Sequence, residues 1–112
     1  MKEKSRAFTA AIANRETVME GADMRAVVLT LDQGQNIPWH YHSTITDAFV
    51  CLKGPMVVET REPEQRFDLT AGQMCAVPAQ RPHTVHGKDG GPCRFANLQG
   101  VGHYDFKPLP KE

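Results

Sequence analysis

The stretch Gly34-Gln35-Asn36-Ile37-Pro38-Trp39-His40-Tyr41-His42-Ser43-Thr44-Ile45-Thr46-Asp47 decides how this chain is to be read. Residues 37–42 form an apolar and aromatic run after a glycine-containing turn, which predicts a β-strand. Side chains two apart on a strand share a face, so His40 and His42 point one way and Trp39 and Tyr41 the other. Asp47 follows five residues after His42, across a bend at Ser43-Thr44. His83 opens another β-rich run, directly after Arg81-Pro82. Two or three imidazoles with one carboxylate form a donor set suited to a divalent transition metal: Fe, Mn, Ni, Co, Cu or Zn.

Outward from this stretch the chain reads as strands. Residues 24–31, 37–42, 48–53, 56–62, 66–69, 74–77, 83–86 and 94–101 are short β-rich runs parted by Gly, Pro and Asp, and nothing after residue 22 has a helical period. Such spacing predicts an all-β, single-domain antiparallel β-barrel or sandwich. Residues 56–61 and 66–69 flank Glu62-Pro63-Glu64-Gln65 as a hairpin whose turn Pro63 fixes. Residues 1–22 are expected to be an arm or edge strand, with residues 8–13 as the extended part; 23–106 form the barrel and 107–112 an extended tail.

The 112 residues suffice for one core and are too few for two. Thirteen basic and thirteen acidic residues cancel, leaving no basic stripe for nucleic acid. Low net charge favours association, and a homodimer is expected. No apolar run is long enough to span a bilayer, so no membrane partner is expected. Lys2, Lys4 and Arg6 before residues 7–13 imitate a signal peptide, but Glu3 and Thr9 interrupt the pattern, and the cytoplasm is expected instead. Three cysteines without a C-x-x-C pair argue against a disulfide framework or a structural zinc cluster. Cys51 and Cys75 lie in apolar runs and read as small buried hydrophobes.

The spacing of turns and histidines resembles the two motifs of the cupin superfamily. The first runs Gly, five residues, His-x-His, three or four residues, Glu, six residues, Gly; here it extends from Gly34 through His40, His42 and Asp47 to Gly54. The second runs Gly, five residues, Pro-x-Gly, two residues, His, three residues, Asn; here it extends from Gly72 through Pro78, Gln80 and His83 to Gly87. Three positions depart: Asp47 stands for Glu, Gln80 for a turn glycine and Gly87 for Asn. The resemblance implies a small jelly-roll barrel with a divalent metal held by His40, His42 and His83. Asp47, one methylene shorter than Glu, either joins them as a fourth ligand or holds a water on the metal. The alternative is a set of hydrogen-bonded pocket histidines without metal.

Other polar residues have weaker claims. His86 faces away from His83 on a regular strand and reads as a surface residue. His103, Tyr104 and Asp105 follow the last long strand; they either fold over the mouth and supply His103 or Tyr104 as an acid or base, or form a polar tail anchoring a dimer. Glu59 and Arg61 share a face, either lining the pocket or exposed on the hairpin. Trp39 and Phe49 read as core, with Phe49, Val77 and Val85 as pocket walls. The resemblance covers dioxygenases, isomerases, lyases and non-catalytic binders, so the expectation is a metal-dependent enzyme on a small oxygenated molecule, with a binding or sensing module as the alternative. Asp47 is the catalytic candidate, as metal ligand or as base to bound water.

Overall fold

Glycine, proline and aspartate cut the chain into ten strands in this computed structural model, which describes residues 12–110. They are β1 (Asn14–Glu20), β2 (Met24–Leu31), β3 (Asn36–Tyr41), β4 (Thr46–Lys53), β5 (Met56–Thr60), β6 (Gln65–Leu69), β7 (Met74–Val77), β8 (His83–Gly87), β9 (Cys93–Gly100) and β10 (Lys107–Pro108). One 3₁₀ turn, Lys88–Gly90, joins β8 to β9. The expected arm at residues 8–13 lies outside the described residues except for Ile12, which is buried in the core, and Ala13.

The strands form two five-stranded antiparallel sheets, in the orders β1-β2-β9-β4-β7 and β10-β3-β8-β5-β6. Apart from the β1–β2 and β5–β6 hairpins, successive strands cross from one sheet to the other. Strand neighbours are therefore distant in sequence, as in β2–β9, β3–β8 and β4–β7. This is a jelly roll. The expected barrel is corrected in one respect: among the described residues the strand ladders stay within each sheet and do not close around the molecule. Because the connections rather than the ladders carry the chain between sheets, the two faces meet as a sandwich.

Cross-strand register layers the interior of the first sheet. Leu31 and Cys93 are paired, then Leu29, Phe95 and Cys51, then Val27, Asn97, Phe49 and Cys75, and last Arg25, Gln99, Asp47 and Val77. The apolar layers fill one end; polar groups gather at the other. Phe49 and Phe95 meet edge to face at 5.7 Å between ring centres, an arrangement that adds to the burial of both rings.

The facing sheet depends on a β-bulge. Ile37 pairs with Val85 and His40 with His83, so three residues of β3 span two of β8. Strict alternation would turn Ile37 and His40 to opposite faces, whereas both are buried. The bulge falls at Pro38-Trp39, where proline has no N–H to contribute. It also puts Trp39 outside the core, with the Arg61 guanidinium 4.0 Å from its ring centre. Trp39 is therefore not the core residue its aromaticity suggests.

Two departures from the motif have local physical meaning. Gly87 is required where it stands, because a Cβ there would lie 1.7 Å from the Gly91 carbonyl oxygen. Gln80 occupies the turn position with φ +71°, the left-handed region that suits glycine. Its backbone N–H donates to the His42 carbonyl at 2.7 Å, tying the turn before β8 to the end of β3. Gln80→Gly is expected to stabilise the protein by about 0.5–1 kcal/mol, the left-handed penalty of a side chain less the greater unfolded freedom of glycine. Urea unfolding monitored by circular dichroism measures it.

Candidate metal centre

The polar end of the first sheet faces the histidines of the second. His40 and His83 are cross-strand neighbours on β3 and β8, and His42 lies just past the end of β3. Asp47 reaches toward all three from β4. Its Oδ2 lies 2.8 Å from His83 Nε2, 2.9 Å from His42 Nε2 and 3.8 Å from His40 Nε2. All four side chains are buried, and one potential ligand atom from each falls within 4.8 Å of every other.

The outer ring nitrogens are already committed. His40 Nδ1 donates to the Pro38 carbonyl at 2.7 Å, His83 Nδ1 to the Arg81 carbonyl at 2.9 Å, and His42 Nδ1 to the Asp105 carbonyl at 2.5 Å. A carbonyl only accepts, so each Nδ1 carries the proton and each neutral ring presents a lone pair at Nε2. Those lone pairs confront Asp47 Oδ2, another acceptor. Such a group of acceptors is stable only around a cation, a proton or a metal ion. Ligands 2.0–2.1 Å from a metal and at right angles are separated by about 3.0 Å, close to the separations from Asp47 to His42 and His83. The donor set fits a divalent transition metal.

Asp47 compensates for its short side chain through its neighbours. Asn97 Nδ2 donates to Oδ1 at 2.5 Å and Gln99 Nε2 donates to the same atom at 3.2 Å, leaving Oδ2 for the histidines. Burial works to raise the Asp47 pKa, but a proton placed on an Nε2 of His40, His42 or His83 and hydrogen-bonded to Oδ2 outweighs it and, with no metal bound, holds the carboxyl well below its usual range. Burial pulls the His40 pKa down despite the opposing Asp47 contact. At His42 burial acts in the same direction, but Asp47 and the Asp105 carbonyl together overcome it and raise the pKa.

The segment after β9 closes the top. Asp105 Oδ1 accepts from the Ser43 backbone N–H at 2.8 Å, and Phe106 stacks on His40 with ring centres 4.4 Å apart. The Tyr104 ring centre is 5.5 Å from that of His42. Tyr104 and Asp105 thus lie at the centre, whereas His103 is exposed. His40, His42 and Asp47 line a cavity of about 20 Å³, room for about one water, that opens to solvent at its mouth. Val27, Leu29, Ile37 and Phe49 give it apolar walls, while Arg15, Arg25 and Gln99 bring polar groups. Of the wall residues expected from sequence, Phe49 lines this cavity, and Val77 and Val85 are packed in the core instead.

Glu59 and Arg61 line a separate outer hollow beside Trp39. His86 lies on that outer side, 2.7 Å from Glu59 Oε2. The thiols are free; burial pushes Cys75 and Cys93 up to about 11, so both are protonated at neutral pH.

Comparison with known proteins agrees with this geometry. The cupin-domain family model matches residues 27–98, which contain His40, His42, Asp47 and His83. The chain belongs to the cupin family. Among solved structures it is similar to a conserved protein with a double-stranded β-helix domain from Klebsiella pneumoniae, at 22% identity, TM-score 0.71, and coverage of 88% of this chain and 84% of that one. It is also similar to KdgF from Halomonas sp., at 22% identity, TM-score 0.66 and 78% coverage of both chains. A cupin-2 domain protein from Shewanella frigidimarina matches at 18% identity, TM-score 0.66, and coverage of 88% and 90%. These likenesses concern the fold. No curated protein matches the sequence.

The residues missed in the sequence are Arg25, Asn97, Gln99 and Phe106. A signal existed for two of them. Alternation along 93–100 puts Asn97 and Gln99 on the same face as Phe95, and polar groups on a core-facing stripe need a buried partner. Asn97→Leu, which keeps the branching at Cγ and lacks the donor, is expected to weaken binding of added Zn by tenfold to a hundredfold in a competition titration, because Asp47 Oδ1 would keep Gln99 alone.

Proposed function

We propose that this cupin is a metal-dependent enzyme acting on a small oxygenated organic molecule, of the dioxygenase or isomerase/lyase type. One observation carries the reading: three Nε2 lone pairs and Asp47 Oδ2 converge at a small cavity that opens to solvent, with every Nδ1 proton already held by a backbone carbonyl. His40, His42, His83 and Asp47 would hold the metal, which would supply Lewis-acid activation of a substrate oxygen or an open position for dioxygen. Asn97 and Gln99 keep Asp47 aimed inward. Phe106 and Tyr104 keep bulk water from the mouth side of the rings. Asp47 would serve either as the fourth ligand or, where Oδ2 stays off the metal, as base to a water held there; its depressed pKa favours the ligand role.

A metal-free binding pocket is the second reading, and the raised His42 supports it: a proton shared with Asp47 would also satisfy the cluster. Metal analysis of protein purified without a histidine tag separates the two. One equivalent of transition metal is expected in the wild type and less than a tenth of that in His40→Ala. Metal unaffected by the substitution, or absent from the wild type after supplementation, would sink the ligand assignment. Oxygen uptake and consumption of carbonyl compounds then test turnover; silence across a broad screen by loaded protein would favour the binder.

The homodimer has support on the outer face of the first sheet. Ala26, Leu98, Ala48 and Ala76 form one cross-strand row, and Val28, Ala96, Val50 and Met74 the next. Both rows are apolar, with Met74 64% and Leu98 39% exposed. A contiguous apolar sheet face suits packing against its own copy about a twofold axis. Val50→Glu is expected to convert a dimer into a monomer in sedimentation velocity without changing metal content. We place the protein in the cytoplasm, where three free thiols suit a reducing compartment; among the described residues no helix is long and apolar enough to cross a membrane.

A further inference from the structure

Among the described residues, Arg25 is the one cation whose side chain is half-buried at the mouth of the metal centre. It leaves the inner face of β2 opposite Gln99, and Gln99 is in turn opposite Asp47. Its Nε donates to Gln99 Oε1 at 2.7 Å, and its guanidinium carbon lies 3.8 Å from the centre of the Tyr104 ring. One edge is thus held by an amide and one face by an aromatic ring. The remaining Nη edge has no acceptor among the described residues, and Glu20, the cross-strand neighbour on β1, forms no ion pair with it. A guanidinium fixed in this way presents a planar pair of donors that matches a carboxylate.

The charge around it points the same way. Arg15 lines the same cavity, and among the described residues the only acid lining it is Asp47, already engaged by Asn97, Gln99 and the histidines. Burial, reinforced by Arg15, lowers the Arg25 pKa against the opposing influence of Tyr104, Glu20 and Asp47, a deficit that a bound anion would relieve. Beneath the row of Arg25, Gln99 and Asp47 the cavity is lined by apolar Val27, Leu29, Ile37 and Phe49. Arg25 and Asp47 stand on strands separated only by β9, about 10 Å apart at the spacing of a sheet, so one small molecule reaches both.

We infer that the mouth of this site takes small carboxylates, with the carboxylate on the Nη edge of Arg25 and a second oxygen, carbonyl or hydroxyl, entering the one-water cavity toward the histidine cluster. The inference rests on the enzyme reading only in placing that second oxygen at a metal; the anion seat stands on Arg25, Gln99 and Tyr104 alone. Arg25 sets specificity, and Gln99 and Tyr104 position it.

Calorimetric titration of the metal-loaded full chain with 4-oxopentanoate, and with its uncharged counterpart 4-oxopentanamide, tests this. The acid is expected to bind roughly tenfold to a hundredfold more tightly than the amide. Arg25→Gln is expected to erase that advantage while metal content and melting temperature stay at wild-type values; Arg25→Lys, which keeps charge without the fork, retains part of it. Equal binding of acid and amide by the wild type, an advantage that survives Arg25→Gln, or no binding of either compound would overturn the proposal. If the chain holds no metal, the same acid-to-amide ratio measured on the metal-free protein still reports on Arg25, so the two readings fail separately.

Discussion

The bond from Asn97 Nδ2 to Asp47 Oδ1 governs what the centre is able to do. A fully buried carboxylate is costly to keep ionised unless its oxygens are occupied by donors or cations. Asn97 and Gln99 occupy one oxygen from the adjacent strand, which leaves the other as the only free acceptor and points it at the imidazoles. All three residues stand on β4 and β9, the latter flanked by strands on both sides, so the clamp is built from the most constrained part of the sheet. A surface loop would not hold the same atoms this closely.

The rest of the interior is arranged to make that polar group tolerable. Layers of Leu, Val, Phe and Cys fill the sandwich below the centre, and only the last layer carries Arg25, Gln99 and Asp47. Polar side chains at one end of a jelly roll lie near solvent through the mouth, which lowers their desolvation cost relative to a site at mid-core. On the facing sheet, one extra residue at Pro38-Trp39 lets Ile37 serve the apolar layer and His40 the polar one. Without the bulge, His40 would face away from the cavity whenever Ile37 faced in. The register shift is thus what brings the first ligand to the cluster.

Much of this was legible in the amino-acid order, and what was not has identifiable causes. Local features were readable: glycines and prolines marked the turns, and the spacings Gly34–His40 and Gly72–Pro78–His83 carried the family resemblance. The closed barrel was not borne out, because alternation predicts strands but says nothing of whether edge strands bond to each other. Trp39 was misplaced because its aromaticity was weighed above the alternation from His40, which turns it outward; the bulge changes the facing of Ile37 relative to His40, and only Pro38 hinted at it. Arg25, Asn97 and Gln99 come from strands remote from the histidines in sequence; their convergence on Asp47 depends on pairing β9 between β2 and β4, which no local pattern encodes. In the sequence Gly87 is only a departure from the motif, yet its lack of a Cβ is a requirement set by a backbone oxygen from the following turn.

The segment that follows β9 shows why the mouth and the ligands cannot be treated separately. Residues 101–106 cross from one sheet to the other and are pinned at both ends, by Gly102 N–H on the Asp23 carbonyl and by the pairing of Lys107 and Pro108 with Tyr41 and His40. Between these pins the chain does three things at once. Tyr104 lies under the Arg25 guanidinium, the Asp105 carbonyl fixes the Nδ1 proton of His42, and Phe106 covers His40. Displacing the segment to widen the mouth would therefore remove the acceptor that sets the His42 tautomer and free the guanidinium from its ring. Access to the cavity, the protonation pattern of His42 and the orientation of Arg25 are consequently one structural variable, and its value is set by how firmly β10 stays paired to β3.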